Sequence, residues 1–466
     1  MKNETFEPAF LASKRPHILM ITNHGIHDWD IRSGLIDTGG QNHYVNALSD
    51  TLVTLGFRVT TLNRGGFPDP QTQEMRRGSR YKNEHSRIVY LQGGGASFIR
   101  KEDLTREVLQ EEGDDAYREL SREGNPHFAL TISHYWDGAI LGEMLRKKFN
   151  DQGKHVWIPH SLGALKKENF KDKPQEVVAP LKFDERIAFE HEVATRVDAI
   201  GSTSGDISRT LETSYGRKAE LFLPPCINTA AIHPLEPSKA TSIYDFLSTQ
   251  DSETGHLVRG KKCILEVSRT DHTKRKDVLI KAFAKAFKNN PQVMLLLTVS
   301  SDNQKVYQEL TQLIEHNGIR RQIVFIGSVP RSIMSELYAI TTVYCSPSEM
   351  EGFGMSVQEA CAAGRATVSS DKIPFATEYL LANEHHQDLT TTSGTCTLRW
   401  GKGGIVVPAG NDEGFAYALK TLVEDETLRG NMGNDAYHLT IPKFTWPDVT
   451  KQMLHELKIN LPVSHS

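Results

Sequence analysis

The sequence predicts an α/β protein built from two doubly wound domains, each organised around a parallel β-sheet. Short apolar runs alternate along the chain with segments in which apolar residues recur every three or four positions, the pattern of strands and amphipathic helices. Strands that alternate with helices pair in parallel. The alternation stops at the double proline of residues 224–225 and then begins again, which indicates a linker between two similar domains.

The first domain opens with an apolar run at 18–21, and the apolar positions between 45 and 55 then lie on one helical face. Gly56 ends this helix and residues 57–62 read as the next strand, so the three elements form a βαβ unit. Later apolar runs predict the remaining strands, at 88–91, 128–132, 156–158, 199–200 and 221–223.

The second domain shows the same alternation of predicted strands and helices. Strands at 263–267, 293–299, 324–326 and 343–346 alternate with helices at 277–289, 305–317, 331–340 and 356–363. Residues 380–403 are polar and aperiodic, so we predict a surface loop there. A last amphipathic helix is expected over 446–459. The predicted domains are therefore 1–225 and 226–445, followed by a C-terminal helical segment over 446–466 that returns to the first domain.

Length and charge narrow the classes of function. The chain has 466 residues, with 54 Lys and Arg against 58 Asp and Glu, a net charge of −4. This balance argues against a nucleic-acid partner or an anionic membrane surface, both of which need a basic field. No apolar run approaches the roughly 18 residues of a membrane span. The five cysteines are scattered without CxxC spacing, so we expect neither a zinc site nor a disulfide framework, and a cytoplasmic location.

The strongest local motif contains two carboxylates, Glu351 and Glu359, across a predicted strand–loop–helix junction. Gly352 and Gly354 let the backbone approach a ligand closely, and the start of the following helix favours an anion. One carboxylate could hold the diol of a ribose and the other the hydroxyls of a sugar. Taken alone, the pair could equally be acids favoured at a helix start by the macrodipole.

A second motif is basic and follows the predicted strand at 263–267. Arg269 supplies a bidentate fork and Lys274 a point charge, so the two side chains could converge on a diphosphate. Such a pair can stabilise a departing nucleoside diphosphate without a metal ion. The alternative is a solvated basic loop, because residues 274–276 form a Lys-Arg-Lys run.

Further motifs lie in the predicted first domain. Residues 37–41 read DTGGQ before the first long helix, where glycines suit a phosphate or a closely approaching sugar. Residues 133–137 read SHYWD, and residues 159–163 read PHSLG with Lys166 following. Residues 98–102 read FIRKE. Each motif alone is weak, because a single histidine is more often a core or capping residue and a glycine pair is common in turns.

Taken together, these motifs resemble those of retaining nucleotide-sugar glycosyltransferases of family 4, which have the GT-B fold. Glu351 and Glu359 match the E-x7-E motif of this family. Arg269 and Lys274 match its diphosphate-binding pair in position and spacing. The motifs of the first domain are similar to those of the sucrose-phosphate synthase and mannosylfructose-phosphate synthase group, with Arg100 where proline is usual. The resemblance implies two Rossmann-like domains that face each other across a cleft.

The resemblance also implies that the C-terminal domain binds the nucleotide sugar. Glu359 would hold the ribose, Arg269 and Lys274 would hold the diphosphate, and His160 would lie beside the reacting face of the donor sugar. The implied catalytic residues are Arg269, Lys274, His160 and Glu351, the last on the sugar hydroxyls. Further donor contacts are implied for Gly39, Gly40, Gly352, Phe353, Gly354 and Val329.

By the same resemblance, the N-terminal domain would bind the acceptor. The positions that match contacts to a sugar phosphate in that group are Gln41, Lys101, His134, Tyr135, Ser161, Lys166 and Arg186. One departure is Glu185, preceded by Asp184, where the group commonly has a basic residue. Three cations, Lys101, Lys166 and Arg186, are nevertheless present.

The implied reaction transfers a hexosyl group, with retention of the α configuration, from a nucleotide sugar to a small sugar phosphate such as fructose 6-phosphate. A different small acceptor, such as a glycerate or phosphoglycerate derivative or a free sugar, is the alternative, for compatible-solute synthesis. A nucleotide-sugar epimerase or a non-catalytic binding protein fits less well, since an epimerase needs no second sugar pocket. We expect no cofactor and no metal ligands, with Mg²⁺ at most stimulatory, and the two substrates as partners. The donor nucleotide and the oligomeric state stay open.

Overall fold

The computed structural model describes residues 5–32, 35, 37–124, 126–300 and 303–462. The chain divides into two compact units. The N-terminal unit comprises Met1–Cys226 together with Trp446–Ser466, and the C-terminal unit comprises Ile227–Thr445. The first boundary thus lies one residue beyond the position that the double proline indicated, and the last helix belongs to the N-terminal unit.

In the N-terminal unit, eight strands form one sheet. Their bounds are β1 His17–Thr22, β2 Arg58–Arg64, β3 Gly78–Asn83, β4 Ser86–Leu91, β5 Leu130–His134, β6 Lys154–Ile158, β7 Ala199–Ser202 and β8 Leu221–Phe222. In space the order is β3-β4-β2-β1-β5-β6-β7-β8, and the pairing is parallel except between β3 and β4. The sheet is therefore mixed at one edge rather than wholly parallel. Residues 84–85 alone join β3 to β4, and so short a connection permits only an antiparallel pair.

In the C-terminal unit, eight further strands form a second sheet. Their bounds are β9 Lys262–Glu266, β10 Val293–Thr298, β11 Ile323–Ile326, β12 Thr341–Ser346, β13 Thr367–Ser370, β14 His385–Thr391, β15 Gly394–Trp400 and β16 Gly404–Val407. The spatial order is β11-β10-β9-β12-β13-β16-β15-β14, parallel up to β16 and antiparallel at β15 and β14. Both sheets therefore confirm the predicted α/β class, each with an antiparallel edge that the sequence did not indicate.

The predicted surface loop over 380–403 is wrong. This segment forms the hairpin of β14 and β15, which completes one edge of the second sheet. On β15, Cys396, Leu398 and Trp400 are buried while the residues between them are more exposed, the alternation of a strand that packs on one face. Threonines and histidines surround these apolar residues, so the alternation was not recognised in the sequence.

Helices flank both sheets. Those of the N-terminal unit are α1 Glu7–Ala12, α2 Gly40–Thr54, α3 Arg106–Ser121, α4 Tyr135–Phe149, α5 Gly163–Asn169, α6 Gln175–Val178, α7 Phe183–Arg196 and α8 Gly205–Tyr215. Those of the C-terminal unit are α9 Ser242–Gln250, α10 Lys276–Phe287, α11 Gln304–Asn317, α12 Met334–Ala339, α13 Met355–Ala362, α14 Pro374–Tyr379, α15 Asp412–Glu424 and α16 Glu426–Thr440. The last helix, α17 Trp446–Glu456, packs on α2. Within the described ranges, no helix is long and apolar enough to cross a membrane.

The order of the strands decides where ligands can bind. In the first sheet β1 lies between β2 and β5, and in the second sheet β9 lies between β10 and β12. At such a position the chain leaves two adjacent strands in opposite directions. The loops that follow the carboxyl ends of these two strands therefore diverge and open a crevice. The motifs singled out in the sequence lie at this carboxyl edge of one sheet or the other.

Candidate active site

The first predicted group lies where β9 and β12 end, side by side in the second sheet. Lys274, in the loop after β9, donates a hydrogen bond to Glu351 Oε1 at 2.7 Å and another to the Met350 carbonyl at 3.1 Å. The Lys274 side chain is buried, and Glu351 supplies its counter-charge. The structure thus joins two of the predicted catalytic residues in an ion pair that bridges two loops.

Arg269 lies in the same loop but in a different environment. Its side chain is 85% exposed, and within the described ranges its ion pair is with Asp271, at 3.7 Å. Asp271 itself accepts a hydrogen bond from the Thr273 backbone N–H at 3.0 Å and another from the Thr273 hydroxyl. The loop is therefore ordered locally while the guanidinium extends into solvent, where a bidentate contact with a phosphate is open to it.

The base of this loop is closed by a buried ion pair that the sequence analysis missed. Glu266 ends β9 and Lys276 begins α10, and each side chain is 1% exposed. Lys276 Nζ donates a hydrogen bond to Glu266 Oε2 and another, at 2.8 Å, to the Ser268 hydroxyl. Burial lowers the pKa of Lys276, while the negative charge of Glu266 acts in the opposite direction.

The Lys-Arg-Lys run at 274–276 is therefore not the solvated basic loop that the sequence left open. Its two lysines are buried and paired, and Arg275 bonds Asp277 at 3.0 Å and Glu349 at 2.8 Å. Each of the three cations has a carboxylate partner outside the run, one of them ten positions back in the chain and two more than seventy positions ahead. A local charge pattern could not indicate these pairings.

Glu359, the second carboxylate of the pair, lies on α13. Its two oxygens accept hydrogen bonds from Arg331 Nη1 at 2.9 Å and from the Tyr338 hydroxyl at 3.1 Å. A ribose diol at this carboxylate would share it with both donors. The structure thus gives Glu359 a more constrained setting than the sequence implied.

The glycines between the two carboxylates have different roles. Gly354 has φ +103°, and a Cβ there would lie 2.4 Å from Ile373 Cγ2, so packing within the unit already requires glycine. At Gly352 a Cβ would meet no atom within 4 Å, which leaves its backbone open to a ligand. The Phe353 ring is buried with Phe375 and Phe444, so of Phe353 only the backbone remains for a donor contact.

In the N-terminal unit, four of the predicted acceptor residues surround one cavity of about 100 Å³. They are Lys101, Tyr135, Lys166 and Arg186, with Glu185 also on the wall. These residues come from the loop after β4 and from α4, α5 and α7, so only the folded chain brings them together.

Arg186 is the best anchored of these side chains. Its Nη2 donates to the Ser161 carbonyl at 2.6 Å and to the Ser161 hydroxyl at 3.0 Å, and its Nε donates to Glu190 Oε1 at 2.7 Å. The guanidinium also lies over the Tyr135 ring, 4.4 Å from its centre. Glu190 is a further residue that the sequence analysis missed, and it accepts a hydrogen bond from the Gly163 backbone N–H at 2.8 Å.

The two lysines of the cavity differ in their partners. Lys101 bonds Asp37 and lies 3.1 Å from a Glu102 oxygen. Although burial opposes it, the Lys101 hydrogen bond and charge lower the pKa of Asp37. In the described part of the chain, no carboxylate oxygen lies within 4 Å of the Lys166 ammonium. Burial, followed by the charges of Arg186 and Lys101, lowers the pKa of Lys166 to about 8.

His160 and His134, which precede Ser161 and Tyr135 in the chain, form a pair of imidazoles. His134 Nδ1 and His160 Nε2 are 2.9 Å apart, so one ring donates to the other. Burial, with a smaller contribution from the charge of His24, lowers the pKa of His160 to about 3, so the imidazole ring is neutral near pH 7. The Tyr44 ring packs against His160 at 4.9 Å and against Trp446 of α17 at 4.8 Å, contacts that the sequence analysis did not foresee.

The remaining predicted residues follow β1 and β11 in the chain. Gly39 precedes α2 and Gly40 begins it, and a Cβ at either position would meet no atom within 4 Å. Gln41 Nε2 donates to the Thr22 hydroxyl at 3.1 Å, where β1 ends. In the C-terminal unit, Val329 is partly buried against the core after β11. Among the described residues, no three His, Cys, Asp or Glu side chains are grouped so that they could hold a metal ion.

Comparison with solved structures identifies the class of fold. The chain aligns with sucrose-phosphate synthase from Thermosynechococcus elongatus at a TM-score of 0.71, over 95% of this chain and 98% of that chain, with 22% sequence identity. Two eight-stranded sheets, each flanked by helices, match this neighbour. The protein has the GT-B fold, as predicted.

Sequence comparison then identifies the kind of enzyme. Residues 249–439 match the family model Glycosyl transferases group 1. The chain is 25% identical to mannosylfructose-phosphate synthase from Agrobacterium fabrum, over 95% of this chain and 91% of the relative. It is also 25% identical to D-inositol 3-phosphate glycosyltransferase from Corynebacterium jeikeium, over 92% of this chain and 93% of the relative. The protein is a glycosyltransferase, and its C-terminal unit carries a group 1 glycosyl transferase domain.

Replacing Glu266 with Gln should destabilise the C-terminal unit by about 3–5 kcal/mol, because Lys276 would keep a buried charge without its carboxylate. The double variant Glu266→Leu with Lys276→Met should recover most of that loss, since it removes both charges. Chemical denaturation followed by tryptophan fluorescence measures both effects.

The matched control is Glu384→Gln, which breaks the exposed pair with Arg399 and should change stability by less than about 1 kcal/mol. Equal losses for Glu266→Gln and Glu384→Gln would show that the buried pair has no special structural role.

Proposed function

We propose that the enzyme is a retaining hexosyltransferase that moves a hexosyl group from a nucleotide sugar to a small phosphorylated acceptor. The observation that carries the proposal is the cavity of the N-terminal unit, where Lys101, Lys166 and Arg186 converge beside Tyr135. A group 1 domain accounts for the donor chemistry, and a cationic cavity is the feature that a phosphorylated acceptor needs.

The charge of the cavity suits a phosphate dianion. Four cationic side chains and two carboxylates line it, which leaves a surplus of two positive charges. Lys166 adds a charge that has no carboxylate within 4 Å in the described ranges, so a phosphate oxygen is a natural partner for it. Both curated relatives compared above carry a phosphorylated sugar or inositol in their names.

On the donor side, Lys274 is the residue best placed to stabilise the leaving group. When the bond between the anomeric carbon and the diphosphate oxygen breaks, the electron pair leaves with the diphosphate, and a nearby cation stabilises the negative charge that develops. The acceptor hydroxyl oxygen forms the new bond to the anomeric carbon, and its proton passes to a diphosphate oxygen on the same face. Glu351, which now pairs with Lys274, would accept hydrogen bonds from the hexosyl hydroxyls.

The decisive assay is release of nucleoside diphosphate from UDP-glucose, GDP-mannose and ADP-glucose, each with and without fructose 6-phosphate. We expect strong release from one donor only when fructose 6-phosphate is present. Release from one donor that fructose 6-phosphate does not stimulate would keep the transferase and redirect the search to glycerate derivatives and free sugars. Binding of a donor with no release on any acceptor would contradict the proposal.

The variant Lys274→Ala should lower the rate of transfer by about 10²–10³-fold or more, because the leaving diphosphate loses its buried cation. The matched control is Lys281→Ala on α10, which removes an exposed lysine paired with Asp277 and should leave the rate unchanged. Thermal unfolding of both variants checks that they are folded. A Lys274→Ala enzyme with a near-normal rate would exclude the proposed role in leaving-group stabilisation.

Binding of the phosphorylated acceptor should weaken as the pH rises from 7 to 9. The Lys166 amine, with a pKa of about 8, changes from largely charged to largely neutral over this range. A phosphate monoester has its second pKa at about 6 and is mainly dianionic throughout this range. Calorimetric titration with fructose 6-phosphate measures the effect.

Two variants separate Lys166 from other titrating groups. Lys166→Arg stays charged and should bind equally at pH 7 and pH 9, whereas Lys166→Met should bind weakly at both. If the wild-type enzyme binds fructose 6-phosphate with the same affinity at pH 7 and pH 9, Lys166 does not contact the phosphate.

A further inference from the structure

A large pocket lies in the C-terminal unit at the edge of the sheet opposite the candidate donor residues. It has a volume of about 910 Å³ and is bordered by the segments that precede β9, β12 and β13 and by one face of α16. Lys274 and Glu351 follow the carboxyl ends of β9 and β12, whereas this pocket opens at the amino ends of the same strands. It is therefore separate from the predicted donor site.

Among the charged side chains on the wall of this pocket, cations outnumber carboxylates. Lys261, Arg365 and Arg429 line it, against the single carboxylate of Glu426. Glu426 is 3.4 Å from Arg429, but its side chain is 89% exposed, so it neutralises little of the charge. Within the described residues the pocket wall thus carries a surplus of two positive charges.

Arg365 is the central cation. Its Nε donates to the Ala363 carbonyl at 3.1 Å and its Nη1 contacts the Thr341 carbonyl at 3.4 Å. No carboxylate oxygen of the described residues lies within 4 Å of it. Burial lowers the pKa of Arg365, the negative charge of Glu236 acts in the opposite direction, and the charge of Arg429 makes a smaller contribution that lowers it. A partly buried guanidinium held only by carbonyl groups retains its full charge for a ligand.

A glycine on α16 borders open space in this pocket. Gly430 lies inside the helix, and a Cβ at this position would meet no atom within 4 Å. By contrast, Gly433 on the same helix is required by packing, since its Cβ would lie 2.5 Å from the Gly364 carbonyl oxygen. The space beside Gly430 is therefore open, and a side chain introduced there would extend into the pocket.

We propose that this pocket binds a small organic phosphate, with the phosphate group held by Arg365, Arg429 and Lys261. Guanidinium groups match the oxygens of a phosphate in a bidentate geometry. The Tyr244 and Tyr437 side chains on the wall offer surfaces for the organic part, and the volume is within the range of small-molecule sites. A sugar phosphate and a nucleoside monophosphate share this chemistry.

The test compares two substitutions at one position in the full-length enzyme. Gly430→Asp places a carboxylate in the pocket, whereas Gly430→Ala places a methyl group there and serves as the matched control. Equilibrium dialysis with inorganic phosphate, glucose 6-phosphate and AMP measures the number of bound equivalents and the affinity. Any binding at the proposed acceptor or donor residues is common to both variants and cancels in the comparison.

We expect Gly430→Ala to bind one more equivalent of an organic phosphate than Gly430→Asp, or to bind it at least tenfold more tightly. A preference for glucose 6-phosphate or for AMP identifies which organic phosphate the site takes, and inorganic phosphate should bind more weakly than either. A second variant, Lys261→Glu, should reproduce the loss if Gly430→Asp fails to fold. Equal binding of all three probes by the alanine and charged variants would overturn the proposal.

Discussion

The buried ion pair between Glu266 and Lys276 is the interaction on which the candidate donor site depends. It ties the end of β9 to the start of α10, and so it determines the path of the loop that carries Arg269 and Lys274. A buried pair of this kind adds little net stability over apolar residues, but an unpaired charge in its place is costly, so the loop is held to one geometry. Lys274 can then meet Glu351 at the end of β12.

In the N-terminal unit, too, acidic side chains hold cations in position. Arg186 is anchored by Glu190 and Ser161, and Lys101 by Asp37, so both cations are positioned before a ligand arrives. Among the described residues, Lys166 has no carboxylate within 4 Å, and burial, followed by the charges of Arg186 and Lys101, lowers its pKa. A bound phosphate would supply the missing negative charge, which supports the proposal of a phosphorylated acceptor.

The two edges of the second sheet offer different chemistry. At the carboxyl edge, Lys274 and Arg275 already have carboxylate partners, and a ligand must compete with or join those pairs. At the amino edge, Arg365 is held by backbone carbonyls and its charge is uncompensated within 4 Å among the described residues. The first arrangement suits a substrate that is bound and released during turnover, and the second suits a ligand that stays bound.

By itself, the sequence determined the alternation of strands and helices, the division near the double proline and the motifs at 269–274 and 351–359, because apolar periodicity and motif spacing are local. Only the tertiary structure decided the rest. The hairpin of β14 and β15 forms through pairing at the edge of a sheet, and a polar sequence gives little sign of it. The partners Glu266, Glu190 and Asp37 became evident only in the fold, and Tyr44 meets Trp446 from 402 positions away in the chain. Such contacts depend on where the chain returns in space, which no local pattern of residues specifies.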